Sequence, residues 1–233
     1  MGACPPAGDS RTDFASILAL YRKGDFGRAL RGVLPLLERA PTDIRALYIA
    51  AECSHALGDL ECTAAWWARA AAADPTYVVA YGNLAGVLKE LRRYVESEAA
   101  YRRALVLRPD LPELHFNLGL LLQEVWRMDE AADAYRCGIA LKPDDAEFHR
   151  NLADVLQFLK RQPEAEAEYR RAIALEPGRI EAHNGLGHLL LEAGRFKEAE
   201  AALRRALSLR PDSAEVHINL GNLRKNQGRY AEA

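Results

Sequence analysis

The sequence predicts an all-α solenoid built from helix-turn-helix units. Three observations predict it. The phrase AEVHINLG at 214–221 recurs as PELHFNLG (112–119), AEFHRNLA (146–153) and IEAHNGLG (180–187), with VVAYGNLA (78–85) as a looser copy, each starting 34 residues after the last. A proline column, Pro41, Pro75, Pro109, Pro143, Pro177 and Pro211, keeps the same step. Within a unit, apolar residues recur at three- and four-residue spacing, the period of a helix with one buried stripe. A fixed period of this length marks an array in which each unit buries its faces against its neighbours.

Taken in order, residues 1–9 carry Pro, Gly and Asp without apolar period and read as a disordered lead-in. A degenerate first unit, 10–43, keeps Gly24, Phe26, Ala29 and the closing Pro41 but lacks the Asn-Leu-Gly phrase. Pro35 falls late in its second helix, where a missing backbone donor is expected to kink or shorten that helix. Complete units are assigned to 44–77, 78–111, 112–145, 146–179 and 180–213. In 112–145, His115, Leu118, Gly119 and Leu122 stripe a first helix, and Ala131, Tyr135 and Gly138 a second. Pro112 and Pro163 suit opening turns, where a missing N–H is harmless. Gly24, Gly58, Gly194 and Gly228 suit the tight turns, where a positive φ is easy for glycine. The proline column closes each second helix. A truncated unit, 214–233, stops inside a second helix with no closing proline, so further repeats or another domain are expected to follow.

Small residues explain how the helices approach. Gly119, Gly187 and Gly221, with Ala51, Ala85 and Ala153 at the matching places, are expected to face Ala131, Ala165 and Ala199. Trp67, Tyr101, Tyr135 and Tyr169 then fill the space toward the next unit.

Composition bounds the function. The chain is 49% hydrophobic and 27% charged, so it can fold and stay dissolved. A net charge of -2 removes the general electrostatic case for nucleic acid or an anionic membrane. No apolar run reaches membrane-spanning length, and MGACPPAGDS has neither the basic start nor the apolar core of a signal peptide. Cys4, Cys53, Cys62 and Cys137 have no paired spacing, which fits reduced thiols in a cytoplasmic protein; each is read as a small core or tail residue. No feature speaks to self-association.

These residues carry a family resemblance. The 34-residue period, the Leu-Gly pair, the Ala and Tyr columns of the second helix and the closing proline resemble the tetratricopeptide repeat, over nearly the whole chain. The resemblance implies a right-handed superhelix whose first helices line a concave groove that binds extended peptides or partner proteins. Asn83, Asn117, Asn151 and Asn219 stand just before the leucine, one residue outside the packed stripe, as candidate peptide-binding residues. An amide both donates and accepts, so a row of them can hold a peptide backbone whatever its sequence. Such a row is similar to the peptide-binding arm of the O-linked N-acetylglucosamine transferases. It has gaps at Ile49 and at Gly185, which has Asn184 beside it. The competing reading is that these asparagines bond locally and are otherwise solvated. On the binding reading, alanine at Asn117 and Asn151 leaves stability nearly unchanged and weakens peptide binding.

The remaining columns read as packing or solvation. His115, His149, His183 and His217 resemble a ligand set by eye, but helices about 8–10 Å apart hold neighbouring imidazoles too far apart to share a zinc. They are assigned to the core, with no metal and no cofactor. Glu113, Glu147, Glu181 and Glu215 border the expected groove, either favouring basic peptides or complementing the helix dipole. The Arg pairs at 102–103, 170–171 and 204–205 are placed on a solvated outer face. Trp126, where a turn glycine is usual, is expected to pack under the next loop, with an exposed contact residue as the alternative. A carboxylate clamp of Lys and Arg is absent, the matching places holding Phe116, Arg150 and Asn184, then Glu113, Glu147 and Glu181. No phosphate-binding, metalloprotease or nucleophile-elbow motif occurs, so no catalytic residue is assigned. The function read from the sequence is an interaction scaffold for proteins or extended peptides. The alternative is the substrate-recognition arm of a larger O-glycosyltransferase.

Overall fold

The computed structural model describes residues 14–228, and the predicted lead-in lies outside them. Thirteen helices and no strand occur among the described residues. The chain divides into two compact blocks, Met1–Arg108 and Pro109–Ala233. The first holds α1 (Phe14–Arg22), α2 (Phe26–Arg39), α3 (Ile44–Ala56), α4 (Leu60–Ala73), α5 (Val78–Glu90) and α6 (Tyr94–Leu107). The second holds α7 (Pro112–Glu124), α8 (Met128–Leu141), α9 (Ala146–Phe158), α10 (Gln162–Leu175), α11 (Ile180–Glu192), α12 (Phe196–Leu209) and α13 (Ala214–Asn226). This is an all-α helical repeat solenoid.

The turn inside each helix pair uses one geometry. After α1 the backbone N–H of Asp25 bonds back to Leu20 O at 3.0 Å across Gly24, whose φ is +79°. The same backward bond runs from Arg93 N to Leu88 O, Arg127 N to Leu122 O, and Arg161 N to Leu156 O, at 2.8 to 2.9 Å. There the left-handed residue is Arg92, Trp126 or Lys160, with φ 59–63°. Such a φ strains an L side chain, so the turn is imposed by the helices it joins rather than by glycine alone.

Eight of the helix starts follow two schemes. Asp25, Asp43, Asp59 and Asp145 accept hydrogen bonds from first-turn N–H groups, as N-caps do. At α6, α8, α10 and α12 the N-cap is an arginine that grips a glutamate three residues on. Arg93–Glu96, Arg127–Glu130, Arg161–Glu164 and Arg195–Glu198 each form a two-pronged pair at 2.5–2.8 Å. The fork fixes a carboxylate in the first turn, where the helix dipole favours it.

Pro35 does not shorten its helix. Helix α2 runs 14 residues through it, as long as α4, α6, α8, α10 and α12. Val33 and Leu37 on either side are buried, and their packing holds the turn that lost a hydrogen bond.

The cores interlock small against large. Trp67, Tyr101, Tyr135 and Tyr169 are all buried, as predicted. Gly187 meets the expected Ala199, whose carbonyl would lie 3.4 Å from an added β-carbon, but the nearest partners of the glycines are larger side chains. A β-carbon on Gly119 would lie 2.6 Å from the Tyr135 ring, and one on Gly187 would lie 2.6 Å from Leu203. On Gly138 it would collide with Phe148 at 1.9 Å. Gly221 faces nothing within 4 Å among the described residues. Two thiols also depart from expectation: Cys53 is buried, but Cys62 and Cys137 are exposed on second helices. No helix of the described residues is long and apolar enough to cross a membrane.

Candidate functional site

The site grows from the first helices of the second block. On α9, α11 and α13, the residues Arg150, Asn184 and Ile218 hold the same repeat position, 34 residues apart. Asp154 and His188 do so one turn further along. Stacked side by side, these positions open a hollow of about 450 Å³, also lined by Gln157, Glu181, Glu215 and Asn219 and floored by Tyr169 and Gly185.

A hydrogen-bonded network shapes the floor. The Tyr169 hydroxyl donates to Asp154 Oδ1 at 2.6 Å, and Gln157 Oε1 lies 3.0 Å from the same hydroxyl oxygen. Arg150 Nη1 donates to Asp154 Oδ2 at 2.6 Å, and Nη2 donates to Asn151 Oδ1 at 2.8 Å. Gln157 Nε2 reaches Glu192 Oε2 at 2.8 Å and His188 Nδ1 at 2.7 Å; an amide nitrogen only donates, so Nδ1 accepts. Burial pushes the Asp154 carboxyl above the usual carboxylate range, against the pull of Arg150 and Tyr169, with Glu215 adding to the rise. The Tyr169 phenol is pushed up by burial and by the Asp154 charge.

The four asparagines read from the sequence have different surroundings. Asn219 lines the hollow, and its Nδ2 donates to Asn184 Oδ1 at 2.8 Å. Asn117 lines a smaller hollow of about 240 Å³ with Glu113, Phe116, Lys142, Asp145 and Glu147. Asn151 is buried, and its Nδ2 donates to Glu147 O at 2.8 Å while its Oδ1 accepts from Arg150. Asn83 lies half-buried on α5 of the first block. The gap at Gly185 has a steric cause: a β-carbon there would lie 2.4 Å from the Tyr169 ring. Glu181 and Glu215 border the larger hollow, Glu113 and Glu147 the smaller.

The histidine column turns out to serve the proline column. The Nε2 atoms of His115, His149, His183 and His217 sit 2.8–3.0 Å from the carbonyls of Pro109, Pro143, Pro177 and Pro211, six residues before each. A carbonyl only accepts, so each Nε2 carries a proton and latches the loop that precedes its helix. Among the described residues, no group of three or more His, Cys, Asp or Glu could hold a metal ion.

Comparison with known families agrees with this geometry. One model described as tetratricopeptide repeat matches residues 14–78 and 116–180, which together exceed half of the chain. The chain is a tetratricopeptide repeat protein. A second model of that description matches 160–217 and 190–233, and one described as TPR repeat matches 87–125. No curated protein matches by sequence. Among solved structures, a tetratricopeptide repeat protein from Parabacteroides merdae is similar at TM-score 0.75 and 16% identity, covering 95% of this chain and 88% of its own. PilF of Pseudomonas aeruginosa gives 0.70 and 18%, covering 88% and 93%. YrrB, described as a TPR protein with an unusual peptide-binding site, gives 0.69 and 19%, covering 80% and 96%. At these identities the likeness is one of fold.

Within this tetratricopeptide repeat protein, two features go beyond the asparagine column. Arg150 and Asn184, read from the sequence as places where a clamp cation is missing, line the hollow with Ile218, beside Asn219 and Gly185 of that column. Their period was visible, but a column mixing Phe, Arg, Asn and Ile carries no compositional signal. Trp126 is the second. It is 71% exposed rather than packed under a loop, and its ring lies 5.6 Å from that of Phe158, tilted by 54°. The Arg pairs do lie outward, and Arg102, Arg170 and Arg204 reach glutamates four residues back at 2.7–2.8 Å.

Proposed function

We propose that this tetratricopeptide repeat protein is an interaction scaffold that holds an extended peptide of a partner protein against α9, α11 and α13. The observation that carries the reading is the hollow over these helices, which presents donors and acceptors together on three successive first helices. An extended chain offers an N–H and a C=O at every residue, and amides such as Asn184 and Asn219 can bond to either. The peptide-binding description of YrrB supports the same use of the fold. Binding here needs no chemistry, and no residue is assigned a catalytic role.

The asparagine row supports a second reading, a substrate-recognition arm like that of an O-linked N-acetylglucosamine transferase. The observation favouring it is that Asn117 and Asn219 both border hollows while differing in their neighbours. A peptide-array screen of the whole chain beside the Asn184→Ala/Asn219→Ala variant tests both. Binding of one sequence motif, weakened in the variant, supports the scaffold. Binding of many unrelated extended peptides, lost in the variant, supports the arm. No binding on any peptide, or binding unchanged in the variant, contradicts both.

A further inference from the structure

The second block carries an exposed aromatic ledge that its packing does not require. Trp126 occupies the left-handed turn position, φ +63°, that glycine holds at Gly24, Gly58, Gly194 and Gly228. Phe158 stands at the repeat position filled by Glu124 one unit before and Glu192 one unit after. Both depart from their column toward a large ring, and the two rings meet at 5.6 Å although they are 71% and 54% exposed. A strained backbone conformation that keeps a tryptophan in solvent adds nothing to the core. Exposed aromatic residues of this kind anchor partner proteins.

Charge decides what they anchor. Phe158 directly follows Gln157, which lines the hollow, on the same helix α9. Within the hollow, Asp154, Glu181 and Glu215 outnumber Arg150, whose guanidinium is already bonded to Asp154 and Asn151. The cations beside the ledge are likewise committed: Arg127 to Glu130 at 2.5 Å, Arg161 to Glu164 at 2.7 Å and Lys160 to Glu192 at 3.3 Å. Asp154 is held by Arg150 and Glu181 lies 3.9 Å from Arg210, so the negative surplus of the hollow rests on Glu215, while the two aromatic faces attract a guanidinium over the ring.

We propose that the Trp126–Phe158 ledge anchors an arginine side chain of a basic extended segment, whose neighbouring basic residues meet the carboxylates of the hollow. This rests on the peptide-scaffold reading and names its ligand class. The test titrates the full chain into a fluorescein-labelled, amidated peptide of alternating arginine and alanine, and into its citrulline counterpart, which keeps the shape and loses the charge. The arginine peptide is expected to bind more tightly than the citrulline peptide. Trp126→Gly and Phe158→Gln are each expected to weaken the arginine peptide about two- to fivefold, the worth of one exposed cation–π contact. Trp126→Gly installs the residue that other repeats use and is expected to leave the melting temperature unchanged or higher, so a loss of binding cannot come from unfolding. Equal binding of the two peptides, or unchanged affinity in both variants, overturns the proposal. If array peptides bind and lose affinity in Asn184→Ala/Asn219→Ala while the arginine peptide does not bind, this proposal falls and the scaffold reading stands. If no peptide of either experiment binds, both fall.

Discussion

Tyr169 and Gly185 fit as ring and socket: the phenol of α10 lies where a β-carbon on α11 would have to be, at 2.4 Å. The hydroxyl of the same ring donates to Asp154 and lies beside Gln157 Oε1, so the contact shapes the candidate site as well as the packing of two helices. Gly185→Asn, which would complete the asparagine row, is therefore expected to destabilise the second block by about 1–3 kcal/mol through overpacking. Urea unfolding checks it, and an unchanged midpoint would mean that Tyr169 moves aside freely.

The asparagines are expected to separate by role. Asn151 is buried with both ends of its amide bonded, so Asn151→Ala leaves Glu147 O and Arg150 without those partners and is expected to cost about 1–3 kcal/mol. Asn219 is half-buried at the rim, and Asn219→Ala is expected to change stability by less than about 1 kcal/mol while weakening peptide binding. Parallel thermal melts of the two variants check the contrast.

His149 differs from the other latch histidines because both its nitrogens meet acceptors, Pro143 O at 2.9 Å and Glu168 Oε2 at 2.6 Å. Burial pulls its pKa down, but the Glu168 carboxylate and the carbonyl more than offset this and hold it above the ordinary value, with Arg171 opposing. A raised folded-state pKa stabilises the fold fully below the unfolded histidine value, near about 6.5, and that contribution is lost as pH rises through the folded value. The gap in melting temperature between wild type and His149→Gln is thus expected to be wider at acid than at alkaline pH. In Glu168→Gln the same gap is expected to flatten with pH.

Pro35 interrupts the hydrogen bonding of a helix that forms regardless. It is exposed, so Pro35→Ala restores a donor without disturbing the core. The substitution is expected to stabilise the first block by about 1–3 kcal/mol, given the roughly 3 kcal/mol difference between the two residues in a helix interior. Calorimetry of the variant checks it.

These cases show what the sequence made legible. Helix identity, turn glycines and closing prolines could be read because each is a local preference repeated in register. The latch from His to Pro was present as two columns in step, but its meaning required knowing that six residues bring an imidazole back onto a carbonyl. Arg92, Trp126 and Lys160 adopt the glycine turn against their own preference, since helices on both sides dictate it. Pro35 does not shorten its helix for the same reason: packing at Val33 and Leu37 outweighs one lost bond. The lining of the hollow depends on the rotation of each helix in its stack, and a one-residue difference separates Asn184 from the column in which Gly185 stands.

The central claim is that a peptide lies over the first helices of the second block. Hydrogen–deuterium exchange of the full chain, with and without a peptide selected from the array, tests it most directly. The account predicts slowed exchange in α9, α11 and α13, with the second helices α10 and α12 unchanged on their outer faces. Protection confined to the second helices, or spread evenly over the block, would contradict it.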